Sequence, residues 1–165
     1  MTTSLHPLDL AAISGIRVAY SGSRLRPGGE CDILVASFSG VYREGSAGRL
    51  DARFIHASGQ AAVIAWDPFG MILDLSDLKY RRGGDLRSIH DIGERAVGME
   101  SLPMAVVVGP GCEKGVRSLF DPRGPVSYPE WIFREFASAW GYIESEIADL
   151  RVRYGSIMRP PLEES

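Results

Sequence analysis

A chain of 165 residues that is 45% hydrophobic and 24% charged has the composition of one ordinary soluble domain, for which about 100–200 residues is usual. Its 18 Lys+Arg against 21 Asp+Glu leave a formal net charge of -3, so no general basic field draws it to nucleic-acid phosphates. Disordered, collagen-like and disulfide-knotted classes are excluded by the same figures. No stretch approaches the about 20 apolar residues of a membrane span, and residues 1–10 lack a basic segment followed by an apolar run, so no secretory signal is expected. Cys31 and Cys112 are too few and too far apart for a metal site or a disulfide framework. The expectation is a cytoplasmic protein with reduced thiols, no cofactor and no metal; its oligomeric state is left open.

In chain order, residues 13–21 (ISGIRVAYS) and 32–39 (DILVASFS) are rich in β-branched and apolar side chains and predict two strands paired as a hairpin at a sheet edge. Residues 22–29 between them form a Pro/Gly turn, and Gly40 ends the second strand. Leu50, Phe54, Ala57, Ala61 and Ile64 then recur at helical spacing, predicting a helix over 46–66 with Ser46 as its N-cap. Gly59 weakens that helix, and an alternative makes 62–66 a strand turning through 67–70 into a hairpin. Asp67-Pro68-Phe69-Gly70 is a stop, and Met71-Ile72-Leu73-Asp74-Leu75 reads as a buried strand.

A second helix is predicted over 83–97, starting near Gly84-Asp85, with Leu86, Ile89, Ile92 or Gly93, and Ala96 on one face. Residues 103–109 (PMAVVVG) are the strongest strand. Val116, Leu119 and Phe120 predict a short third helix, and the turn region 121–129 has room for a small strand around Val126. Phe136, Trp140, Ile143, Ile147, Leu150 and Tyr154 step by four and three along a long terminal helix, which Pro160-Pro161 ends. Residues 121–125 and 128–133 offer a second surface, or else Trp131 and Phe133 belong to the core where that helix begins. Alternating strands and helices predict an α/β fold: one domain with a mixed, mostly parallel sheet flanked by helices.

The run 71–80 (MILDLSDLKY) is an apolar strand ending in Asp-Leu-Ser, followed by an aromatic before the next helix. In this, and in the valine strand, short helix and amphipathic helix that follow, residues 32–147 resemble STAS domains, the family of bacterial anti-sigma-factor antagonists and related modules. The resemblance implies residues 1–30 as an N-terminal segment carrying the edge strand, 31–155 as the STAS-like domain and 156–165 as a flexible tail. It also implies a regulatory module whose docking on a partner kinase is switched by phosphorylating a serine or threonine at the start of the helix after that turn. The corresponding loop here, 80–85 (YRRGGD), contains neither residue, and the nearest hydroxyls are Ser76 and Ser88. Asp85 stands either as a fixed mimic of the charged state or as a plain helix N-cap.

The stretch Arg82-Gly83-Gly84-Asp85-Leu86 also resembles the oxyanion loop of crotonase (enoyl-CoA hydratase/isomerase) enzymes, with Gly109-Pro110-Gly111-Cys112 at the place of the second donor. Pro110 supplies no N–H there, and the chain is short for that family. His6, His56 and His90 show no ligand spacing. Cys112 follows a Gly-Pro-Gly turn near a helix start, a setting that activates thiols, although an ordinary turn cysteine fits it too.

Lys79, Arg81 and Arg82 around Tyr80 are the densest basic patch. The expected function is non-catalytic: docking on another protein, a kinase-like regulator or a toxin in an immunity role. The contact residues are Lys79, Tyr80, Arg81, Arg82, Gly83, Gly84, Asp85, Arg87, Ser88 and Asp91. The overall acidity suggests a basic partner.

Overall fold

The structure, a computed structural model, describes residues 5–23, 27–94, 101–120 and 129–154. Three central strands hold the sheet together: β2 (Ile33–Val41), β3 (Gly70–Leu75) and β5 (Met104–Val108). They pair in parallel, β3 between the other two. Their near-continuous apolar sequence is what burial on both faces demands. Leu34, Ala36, Phe38, Met71, Leu73, Val106 and Val108 face one core, and Ile33, Val35, Ile72, Ala105 and Val107 face the other.

β1 (Arg17–Ser23) adds antiparallel to β2 at one edge, as the hairpin reading expects. It begins later than residue 13, because residues Leu10–Ile13 form a 310 turn capped by the Asp9 side chain. β2 runs through Gly40 to Val41 rather than ending there, since β4 (Leu78–Lys79) pairs in parallel with Gly40–Val41. At the far edge β6 (Ile132–Phe133) joins β5 in parallel. Alternation along this short strand sends Ile132 to the first core and Phe133 to the second, while Trp131, just before the strand, packs on the first, so both aromatics are half-buried core residues. The strand expected around Val126, the Ala96 end of the second helix, the proline stop and the tail 156–165 lie outside the described residues.

Helix α1 (Ser46–Trp66) forms as a single element, which removes the hairpin alternative at 62–66. Its buried face is not the predicted one. Leu50 is 38% and Ile64 74% exposed, while Asp51, Ala52, Phe54, Ile55, Ser58, Gly59, Ala62 and Val63 face inward. Of the predicted face Phe54 alone is buried, and beside Ile55 and Val63 the inward stripe carries small and polar residues that let the helix approach closely, so apolar periodicity alone points about one residue off. Gly59 belongs to this fit: a Cβ there would lie 2.8 Å from Ile92 Cδ1. Ser46 is the first helical residue rather than the cap. The cap is Gly45, without a side-chain hydrogen bond. Asp67 closes the other end in the left-handed conformation that Asp tolerates, its N–H donating to Val63 O at 3.0 Å.

The second predicted helix is a 310 helix, Gly84–Asp91, not an α-helix. Its apolar residues Leu86, Ile89 and Ile92 are spaced by three, the 310 period, and all three are buried. With α1 and α2 (Glu113–Phe120) it covers the first core. Helix α3 (Phe136–Tyr154) covers the second through Ala139, Ile143 and Ile147. The predicted seam overreaches at its ends, where Phe136 and Tyr154 are exposed.

Candidate functional site

The segment after β3 is fixed from both sides. Tyr42 N–H donates to Lys79 O at 2.9 Å, and Tyr80 N–H donates to Gly111 O at 3.0 Å. The Tyr80 ring is buried and meets Tyr42 edge-on, with centroids 5.0 Å apart. Tyr80 therefore differs from the contact residue it was expected to be: it anchors the loop from beneath. Its hydroxyl donates to Gly83 O at 2.8 Å, and its ring occupies the space a side chain on Gly115 would need. Gly83 has φ +142 with the Tyr42 ring 3.0 Å from a notional Cβ, so both the backbone and the space select glycine.

From this base Arg81 and Arg82 project with side chains 88% and 80% exposed. Arg82 Nε and Nη2 both reach Glu44 Oε2, at 3.0 and 2.8 Å, and Arg81 lies 3.9 Å from the other oxygen. Exposed pairs of this kind contribute little to stability, and they leave two cations on the surface around one carboxylate. Lys79, Gly84, Asp85, Arg87 and Asp91 are also exposed, and Ser88 is half-buried. Arg87 Nη2 donates to Leu119 O at 2.8 Å, tying the 310 helix to the end of α2. Asp85 is not the N-cap. Gly83 takes that place, with Asp85 in the first turn, where a carboxylate suits the helix dipole.

The other candidates resolve as structural. Cys112 is buried, and its thiol donates to Leu75 O at 3.1 Å. Burial pushes it up to about 11, against a smaller lowering from the Gly109 hydrogen bond, the opposite of an activated thiolate. The two glycine loops of the oxyanion reading do not face each other across a cleft. They are hydrogen-bonded together through Tyr80 and Gly111, and Gly109 packs on the Ser76 carbonyl. His56 Nδ1 lies 2.8 Å from Ser88 O, and His90 packs edge-on to Trp131. Among the described residues no cluster of His, Cys, Asp and Glu is arranged to hold a metal ion, and no helix is long and apolar enough to cross a membrane.

Two depressions stand out among the described residues. One, of about 420 Å³, lies on the open sheet face among Arg17, Ser37, Asp74 and Asp77. Its Asp74 carboxylate is engaged by Ser37 Oγ and Ser76 N–H. The other, of about 480 Å³, runs between α1 and the 310 helix and is lined by Arg49, Arg53, His56, Asp85 and Ser88 over an alanine floor. Sequence reading missed it. The i, i+4 pair Arg49/Arg53 was the available signal, but its meaning depends on a helix face that periodicity misplaced.

No family model matches the chain, and no curated protein matches it. A crystal structure of an anti-sigma factor antagonist from Mycobacterium paratuberculosis does, at TM-score 0.54 and 16% identity, covering 79% of this chain and 95% of that one. The fold is STAS-like. Within this scaffold the loop at 80–85 lies between β4 and the 310 helix.

Proposed function

We propose that this chain is a non-catalytic regulatory module that docks on a partner protein through the exposed residues Lys79, Arg81, Arg82, Gly84, Asp85, Arg87 and Asp91, with the half-buried Gly83 and Ser88 among them. The observation that carries this reading is the buried Tyr42–Tyr80 pair, which holds a short loop rigidly while Arg81 and Arg82 stand clear of it. Arginine on a preorganised loop loses little freedom on binding and is enriched at interface hot spots. The structural neighbour is an anti-sigma factor antagonist, which supports a regulatory use of the same scaffold.

The 310 helix starts at Gly84 after a Gly83 cap, and the resemblance puts a phosphorylated hydroxyl at such a start. Docking here is thus constitutive, with no charge added to the loop. Capture of a partner by the immobilised chain, compared with Arg81→Glu/Arg82→Glu, tests the reading. Retained helicity with lost capture is the expected result, and undiminished capture by the variant overturns it.

A further inference from the structure

We propose that the groove between α1 and the 310 helix seats an acidic helical segment of that partner. This deepens the docking reading above and rests on it. Arg49 and Arg53 stand one turn apart on the exposed side of α1, and no carboxylate among the described residues lies within ion-pair distance of either. By contrast Arg43, Arg81, Arg82 and Arg134 all have carboxylate neighbours. Two free cations at the rim of a groove, in a chain of net charge -3, form a local field opposite to the whole molecule's. Among the described residues the only carboxylate lining the groove is Asp85, at its 310 wall.

The floor suits a helix. Ala52 and Ala57 present small apolar surface between the two arginines and His56. The 310 wall is tied to α1, so the spacing of the two walls is fixed: His56 Nδ1 lies 2.8 Å from the Ser88 carbonyl oxygen, and Gly93 N–H donates to Gln60 Oε1 at 2.9 Å farther along. An eight-residue 310 segment spans about 16 Å at its usual rise, the length of about eleven α-helical residues. An amphipathic segment with apolar residues on the alanine floor and Glu or Asp toward Arg49 and Arg53 matches both surfaces. The partner chemistry is thus acidic, where net charge alone suggests a basic one.

The test uses the full chain and two labelled 18-residue peptides, one a Leu/Glu amphipathic helix and the other its Leu/Lys counterpart. Binding is followed by fluorescence anisotropy and by amide chemical shifts. The acidic peptide is expected to bind, to shift amides along 49–57 and 85–91, and to weaken at 0.5 M salt. In Arg49→Glu/Arg53→Glu its affinity is expected to fall about tenfold, two surface pairs turned from attraction to repulsion. Equal binding of the Leu/Lys peptide, unchanged affinity in the double variant, or shifts reproduced by free glutamate or phosphate alone overturns the proposal. Capture that depends on Arg81 and Arg82 but survives Arg49→Glu/Arg53→Glu leaves the docking loop standing and removes the groove. Loss of dependence on Arg81 and Arg82 removes the docking reading itself.

Discussion

Arg43 grips Asp51 as a two-pronged fork, Nη2 to Oδ1 at 2.7 Å and Nε to Oδ2 at 3.0 Å, while its own backbone N–H adds a third bond to Oδ2 at 2.7 Å. Asp51 is fully buried on α1. The same carboxylate accepts from Ser14 Oγ at 2.6 Å, and Arg43 Nη2 reaches Ile13 O at 2.9 Å. One buried charge therefore ties the segment before β1, the loop after β2 and the first helix together. Asp51→Ala removes the hub and is expected to cost about 3 kcal/mol. Urea unfolding measures the loss, and faster amide exchange at Ile16, whose N–H rests on Ser14, shows where it begins.

The pH dependence of this hub has a definite sign. Burial alone would raise the Asp51 carboxyl, but the hydrogen bonds from Arg43 and Ser14 outweigh it and hold the group below its ordinary 3.8. A depressed folded value means the unfolded chain takes up the proton first. The contribution is therefore complete above the ordinary value and is lost as pH falls through the folded one. The stability gap between the native chain and Asp51→Ala is expected to stay constant from pH 7 to about 5 and to narrow below about 4. A gap independent of pH down to 3 contradicts it.

The central strands and the helices at 46–66 and 136–154 were legible because their signals are local: a valine run at 106–108, a Pro-Gly stop at 68–70, and apolar steps along 136–154. What failed depends on tertiary partners. Tyr80 has the look of an interface aromatic in sequence and becomes an anchor only because Tyr42, 38 residues earlier in the chain but brought beside it where β2 and β4 pair and end, offers it an edge. The stripe of α1 was misplaced because Gly48, Ser58 and Gly59 are chosen for close approach, not for hydrophobicity. The basic loop at 79–82 was visible as composition, whereas the Arg49/Arg53 groove exists only once the 310 helix lies beside α1.

Two helical glycines separate packing from propensity. A Cβ on Gly48 would collide with the Arg43 carbonyl and the Tyr42 ring, whereas one on Gly141, in the exposed face of α3, meets nothing within 4 Å. Alanine is favoured over glycine in a helix by about 1 kcal/mol. Gly141→Ala is expected to raise stability by about 0.5–1 kcal/mol. Gly48→Ala is expected to lower it by about 1–3 kcal/mol, since backbone must yield. Thermal midpoints of the two variants moving in the same direction would contradict the packing argument.

Cys112 is expected to be inert. Its buried thiol is held up to about 11 against an ordinary 9.0, chiefly by burial, so the folded state favours the neutral form. This contribution is present below pH 9 and is lost as pH rises toward 11, because the unfolded chain ionises first. Cys31 is buried as well. Ellman's reagent at pH 8 should therefore modify both thiols promptly in denaturant and only slowly in the native chain, at the rate of opening. Prompt labelling of native Cys112 would refute the assignment.

Tyr42 and Tyr80 share an environment but not a role. Burial, with Tyr80, Asp85 and Asp51 nearby, drives the Tyr42 hydroxyl well above its ordinary range, and burial pushes Tyr80 up to about 12, so both stay protonated. The Tyr42 hydroxyl is buried and makes no hydrogen bond among the described residues, while the Tyr80 hydroxyl holds Gly83 O at 2.8 Å. Removing an unsatisfied buried hydroxyl relieves a penalty of about 1–3 kcal/mol, whereas removing a satisfied one forfeits about 1 kcal/mol. Tyr42→Phe is therefore expected to leave stability unchanged or raise it, and Tyr80→Phe to lower it. Only Tyr80→Phe should speed amide exchange at Leu86, whose N–H bonds Gly83 O, and weaken partner capture while Arg81 and Arg82 remain in place. Capture unaffected by Tyr80→Phe would mean that the loop does not depend on its anchor for presentation.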